Sequence, residues 1–190
     1  MKNSESRIIL GIDPGTNVLG YSVLEISGST MKLIELDVLR MERAGDHYSK
    51  LKKIFEGVRK IIRKHQPGEM AIESPFFGKN IQSMLKLGRA QGVAITVALS
   101  ENVSVVEYSP RKIKQSITGN GNASKEQVAA ILSQLLQFDA QYLMLDATDA
   151  LGVAVCHHFQ NRNIAPAHEK VSGWKQFLTL HPERIASKKK

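Results

Sequence analysis

Apolar positions along this chain recur with two periods, and the points where one gives way to the other mark out its elements. Residues 7 to 13, where Ile8-Ile9-Leu10-Gly11-Ile12 ends on Asp13, read as a buried strand. Two more apolar-rich runs, 20 to 26 and 31 to 39, flank the turn-forming Ser27-Gly28-Ser29-Thr30, so the opening predicts a three-stranded meander. The period then lengthens. Leu51, Ile54, Phe55, Val58, Ile61 and Ile62 fall at helical spacing behind Asp46, a residue suited to capping a first turn, while Lys52, Lys53, Arg59, Lys60, Arg63 and Lys64 largely face outward as a solvated surface. Pro67-Gly68 ends that helix near His65, and residues 69 to 73 return to strand, closing on Glu73.

Alternation of helix and strand continues from there. A long helix is predicted from about Asn80 to Ser100, a strand from Val103 to Tyr108, and short helical turns from Pro110 to Ile117. Gly119-Asn120-Gly121-Asn122-Ala123 reads as a flexible loop, and Ser124-Lys125-Glu126-Gln127 has the form of a capping box opening a helix to about Gln137. A last helix spans about 147 to 161. The pattern predicts an α/β domain over residues 7 to 163, with a mixed five-stranded sheet of three antiparallel and two parallel strands flanked by helices. Residues 164 to 190, punctuated by Pro166, Gly173 and Pro182, read as a basic peripheral tail.

At 190 residues and 42% hydrophobic the chain can build one full core but hardly two. It lacks a run of about 18 apolar residues for a membrane span, and its first residues lack the apolar centre of a signal peptide, so a cytoplasmic protein away from membranes is expected. The single Cys156 sits in an apolar stretch and reads as a packed thiol. A formal charge of +8 favours a polyanionic partner, with nucleic acid ahead of a membrane surface. Half of that excess lies in the tail. The sharper signal is Pro110 to Lys125, which carries Arg111, Lys112, Lys114 and Lys125 and no acid, a patch able to steer phosphate.

Candidate chemistry rests on four carboxylates. Asp13 and Glu73 stand where buried strands meet turns, and Asp146 and Asp149 are spaced i, i+3 on one helix face. In an open sheet, sites form outside the carboxyl ends of strands, which places Asp13 and Glu73 together. Gathered, the four would repel unless a divalent cation joined them. Hard Mg²⁺ takes carboxylate oxygens, and two ions about 4 Å apart can bind the attacking and leaving oxygens of a phosphodiester, so the pattern points to a nuclease. Such chemistry needs no protein nucleophile. Asp13 before Pro14-Gly15 also suits a purely turn-forming role. His157 and His158, about three turns beyond Asp146, are assigned to packing or to the surface.

Taken together, Gly11-Ile12-Asp13-Pro14-Gly15-Thr16 with Gly20-Tyr21, Ala71-Ile72-Glu73 followed by Phe76-Phe77-Gly78-Lys79-Asn80, Leu87-Gly88-Arg89-Ala90-Gln91-Gly92, and Asp146-Ala147-Thr148-Asp149-Ala150-Leu151 resemble the RuvC family of bacterial Holliday junction resolvases in order and spacing. The resemblance covers about residues 7 to 160. It implies a ribonuclease H-like fold, a homodimer, and paired nicking of four-way DNA junctions in recombination and repair, dependent on two Mg²⁺ ions with Mn²⁺ as a substitute. A branch-migration helicase machinery is implied as a partner. By motif, Asp13, Glu73 and Asp146 would be the metal-binding catalytic acids and Asp149 a fourth, binding metal directly, holding a ligand water, or tuning Asp146. Phe76 and Phe77 could stack on or wedge between bases, or cap the core, with the family favouring Phe76 as the DNA probe. Lys79, Asn80, Arg111, Lys114 and Lys125 complete the expected DNA contacts.

Ile81, Met84, Leu85, Gly88, Gly92, Ile95 and Leu99 form a mostly apolar helix face with two glycines one turn apart, suited to packing on the sheet or to a close symmetric helix contact. A junction of near two-fold symmetry is best cut by a two-fold protein. A nucleotide-binding protein of the actin and Hsp70 type would share the first Gly-Ile-Asp-Pro-Gly-Thr loop, but a second Gly-rich phosphate loop and the length for a second such domain are missing. A catalytically silent junction-binding module would not need all four acids.

Overall fold

Alternation along the first strand decides the architecture. In the computed structural model, which describes residues 6–75, 80–138 and 145–162, β1 (Arg7–Asp13) sends Leu10 and Ile12 to one side of the sheet and Ile9 to the other. It pairs antiparallel with β2 (Val18–Ser27), which pairs antiparallel with β3 (Thr30–Arg40). The β2–β3 turn is the two-residue Gly28-Ser29, where Gly28 takes a φ of 60°, the left-handed conformation a II′ hairpin needs at its first position.

α1 (His47–His65) then crosses to β4 (Glu69–Glu73), laid parallel to β1, and α2 (Ile81–Ser100) crosses to β5 (Ser104–Tyr108), laid parallel to β4. The sheet order is β3-β2-β1-β4-β5, the mixed five-stranded sheet expected. α1 and α2 cover one face, where Ile54, Val58, Ile61, Ala94 and Val97 meet Leu10, Ile12, Tyr21, Val23, Met70 and Ile72. α3 (Pro110–Thr118), α4 (Lys125–Leu136) and α5 (Leu145–Arg162) cover the other, where Ile113, Val128, Leu132, Leu151 and Ala154 meet Ile9, Leu24, Ile26 and Ala71. Burying both faces explains why β1 reads as a continuous apolar run. Cys156 is buried in this second core, as a packed thiol should be.

Helix starts follow their capping residues. The side chains of Asp46, Asn80, Ser109 and Ser124 each accept a backbone N–H in the first turn of α1, α2, α3 and α4, and Ser124 with Gln127 completes the expected capping box. The helical turns expected after Pro110 form one continuous helix, since proline fits a first turn whose N–H would be unsatisfied anyway. α5 begins at Leu145, two residues earlier than its apolar pattern implied, and so places Asp146 inside the first turn.

Two placements decide between alternatives that the sequence left open. Of the α2 face of Ile81, Met84, Leu85, Gly88, Gly92, Ile95 and Leu99, Ile95 packs against the core, but Ile81, Leu85 and Leu99 are exposed, and the buried face is Ala90, Gln91, Ala94, Val97 and Ala98. Small residues win the sheet side because they let the helix lie close to it. Second, His157 and His158 are both core residues, which decides between the packing and surface roles in favour of packing. His157 Nε2 donates to Glu69 Oε2 at 2.5 Å and its Nδ1 meets the Tyr108 hydroxyl at 2.9 Å, while Arg7 donates to Glu69 Oε1 at 3.0 Å and to His158 Nδ1 at 3.2 Å.

Contacts divide the chain into compact units Met1–Phe159 and Gln160–Lys190. The predicted tail, 164 to 190, lies outside the described residues, as do Phe76, Phe77 and Lys79. Among the described residues, no helix is long and apolar enough to cross a membrane.

Candidate active site

The site forms where strand ends meet the start of α5. β1 and β4 run parallel with Ile12 beside Ile72, so the next residues, Asp13 and Glu73, end their strands side by side. Parity turns both toward the face of Ile9 and Ala71, the face that α5 covers. For the α5 acids to reach them, the helix must come unusually near the strands. Glycine and serine allow this. A Cβ on Gly11 would lie 2.2 Å from the Ala150 carbonyl oxygen, and a Cβ on Gly20 would lie 2.0 Å from that of Asp146. Ser22 Oγ donates to the Ala150 oxygen at 3.0 Å and fastens the helix there. Gly20 is also the ladder partner of Asp13, and Ser22 that of Gly11.

The result is a cluster of acids. One carboxylate oxygen from each of Asp13, Asp146 and Asp149 falls within a group spanning at most 4.8 Å. Glu73 joins Asp13 and Asp149 in lining an open pocket of about 180 Å³ together with Lys114, Lys125, Pro110, Ile113 and Val128. Burial, reinforced by the neighbouring Glu73 and Asp149 charges, pushes the Asp13 carboxyl up to about 8. Burial and the Asp149 charge push Glu73 up to about 7, against the pull of Lys125 and Lys114. Asp149 is raised by burial even though Lys125 hydrogen-bonds to it. Acids held together at this cost need a positive partner.

Lys125 supplies one such charge. Its Nζ donates to Asp149 Oδ2, and that bond outweighs the burial that would otherwise lower the lysine. Lys114 faces the same pocket. Other expected DNA contacts are placed differently. Arg111 is exposed and does not line the pocket, and the Asn80 side-chain oxygen accepts the Ser83 amide at 3.1 Å as a helix cap. Sequence reasoning missed the small residues Gly11, Gly20 and Ser22 as the seat of α5. Glycine inside a strand was the available signal, since it often marks a close backbone approach.

All four acids offer hard oxygen donors, three of them disfavoured as bare anions by burial, and that donor set fits a divalent ion of the Mg²⁺ or Mn²⁺ kind. A family model described as "Crossover junction endodeoxyribonuclease RuvC" matches residues 9–157. The chain belongs to the RuvC family. It is 55% identical over 179 residues to a RuvC of Cytophaga hutchinsonii, covering 94% of this chain and 88% of that protein. Against a RuvC of Porphyromonas gingivalis it is 48% identical over 185 residues, covering 95% and 98%. The Thermus thermophilus RuvC solved in complex with a Holliday junction substrate superposes with a TM-score of 0.77 at 28% identity, over 83% of this chain and 96% of that one. The RuvC fold here is ribonuclease H-like, as expected.

Proposed function

We propose that this member of the crossover junction endodeoxyribonuclease family resolves four-way DNA junctions by paired hydrolysis, with Asp13, Glu73, Asp146 and Asp149 holding two divalent ions, Mg²⁺ foremost. The observation that carries the reading is the convergence of three aspartate oxygens within 4.8 Å at the ends of a ribonuclease H-like sheet. Bound there, the ions would supply Lewis acidity to the attacking and leaving oxygens.

The chain's own residues do the rest. Asp13 and Glu73, at the ends of rigid adjacent strands, hold their oxygens in fixed positions, while Asp146 and Asp149 approach from the helix. Lys114 and Lys125 flank the acids and draw a phosphate toward them. The exposed α2 face of Ile81, Leu85 and Leu99, with open space above Gly88 and Gly92, suits close contact with a second copy, so that a two-fold dimer addresses both strands of a two-fold junction. Phe76, Phe77 and Lys79 are proposed DNA contacts, with the cytoplasm as site of action and a branch-migration machinery as partner. The nuclease domain is proposed to end near Asn163, the tail adding non-specific affinity alone.

The test compares an immobile four-way junction with a linear duplex of the same sequence, with and without Mg²⁺. Symmetric nicks confined to the junction and abolished by chelation are expected. Equal cutting of the duplex, or cutting without metal, would overturn the reading.

A further inference from the structure

Lys125 occupies a position that serves its helix poorly. It is the first residue of α4, directly after the Ser124 cap, where the positive end of the helix dipole disfavours a cation. The capping box satisfies the local amides without it. Its Nζ instead reaches across to Asp149 Oδ2, on a side chain that is only 17% exposed, while 52% of the lysine side chain stays open to solvent. A lysine is a compact charge on a flexible four-carbon stem, so this ammonium is both well placed to neutralise the cluster and free to leave it.

A divalent ion bound by the acid cluster would meet that ammonium at close range beside half-buried carboxylates, where like charges repel. We propose that Lys125 is an internal placeholder for the metal: its ammonium neutralises Asp149 in the metal-free protein, swings away when a divalent ion enters, and then engages a phosphate of the bound strand. Metal and DNA therefore strengthen each other's binding, and by linkage the coupling is equal in both directions. This inference rests on the metal reading above.

The test titrates the full chain, without DNA, with Mn²⁺ by calorimetry. Lys125→Met removes the charge and keeps the length, and Mn²⁺ affinity should rise about fivefold or more as the competing ion pair is lost. Lys114→Met removes an equal charge from the same pocket but leaves the Lys125–Asp149 pair intact, and should raise affinity only about twofold. Lys125→Arg keeps the charge and should stay near the parent value. In a second arm, the gain in junction affinity on adding Ca²⁺ should be larger for the parent than for Lys125→Met. Absence of Mn²⁺ uptake by the parent would defeat the metal reading itself. Uptake by the parent with equal or weaker uptake by Lys125→Met, or with an undiminished Ca²⁺-linked gain, would overturn the placeholder alone.

Discussion

Gly20 lies directly against the backbone of Asp146, whose carbonyl oxygen a Cβ at Gly20 would meet at 2.0 Å. Because Gly20 is also the ladder partner of Asp13, one missing methyl group sets the distance between an acid on a strand and an acid on a helix.

Gly20→Ala should therefore impair the site without touching a single carboxylate. The backbone oxygen cannot turn aside as a flexible side chain could, so α5 must shift, at a cost of about 3 kcal/mol or more. Thermal denaturation should show the loss, and Mn²⁺ affinity of the remaining folded protein should fall with it. Parent stability together with parent affinity would mean that the helix is not seated on this glycine.

Asp13→Asn, Glu73→Gln and Asp146→Asn should each abolish junction nicking while leaving junction binding intact. Each removes a ligand oxygen's charge but no basic residue, and in metal-free buffer each should tighten DNA binding by removing a negative charge that faces phosphate. A gel-shift series in EDTA checks this. Weaker binding by all three would count against a shared acidic cleft.

The raised carboxyls make metal-free stability depend on pH in a stated direction. Asp13 rises from 3.8 to about 8 on folding and Glu73 from 4.5 to about 7, so between those limits the folded state holds more protons than the unfolded one. Stability from these groups is complete below about pH 4 and is lost as pH climbs through 7 to 8. In EDTA, Asp13→Asn should melt above the parent at pH 8.5, and the gap should narrow as pH falls and close only near pH 4. Mg²⁺ should reverse the order at pH 8.5. A gap that stays constant with pH would place Asp13 in water.

At the far end of β4 the partly buried network of Arg7, Glu69, His157 and Tyr108 should matter for folding alone. Burial pushes the Glu69 carboxyl up, but the His157 hydrogen bond and the Arg7 charge outweigh it and hold it below the usual range. Glu69→Leu should cost about 2 kcal/mol, less than a fully buried pair because Arg7 reaches solvent. Glu69 stands four residues before Glu73, about 13 Å along the strand, so nicking per folded molecule should be unchanged. Loss of activity at full stability would show that the two ends of the strand are coupled.

Much of this was legible before any coordinates. The continuous apolar run into Asp13 and the short strand into Glu73 announce acids at strand ends, and the residues Asp46 and Ser124 announce helix starts, because these signals depend only on near neighbours in the chain. The face of α2 was ambiguous, since Ile81, Leu85 and Leu99 are apolar yet lie exposed. Hydrophobicity says that a side chain gains from burial, not against what.

The sequence by itself determined the order of elements, the mixed sheet and the four carboxylates, since local periodicity and turn chemistry suffice for these. Tertiary structure alone decided that α5 sits on Gly11 and Gly20, that Lys125 pairs with Asp149 across 24 positions, and that His157 meets Glu69 across 88. Those relationships depend on how closely two backbones approach and which side chain then fills the space between them. That is a property of packing in three dimensions, and residues so far apart in sequence carry no local mark of it.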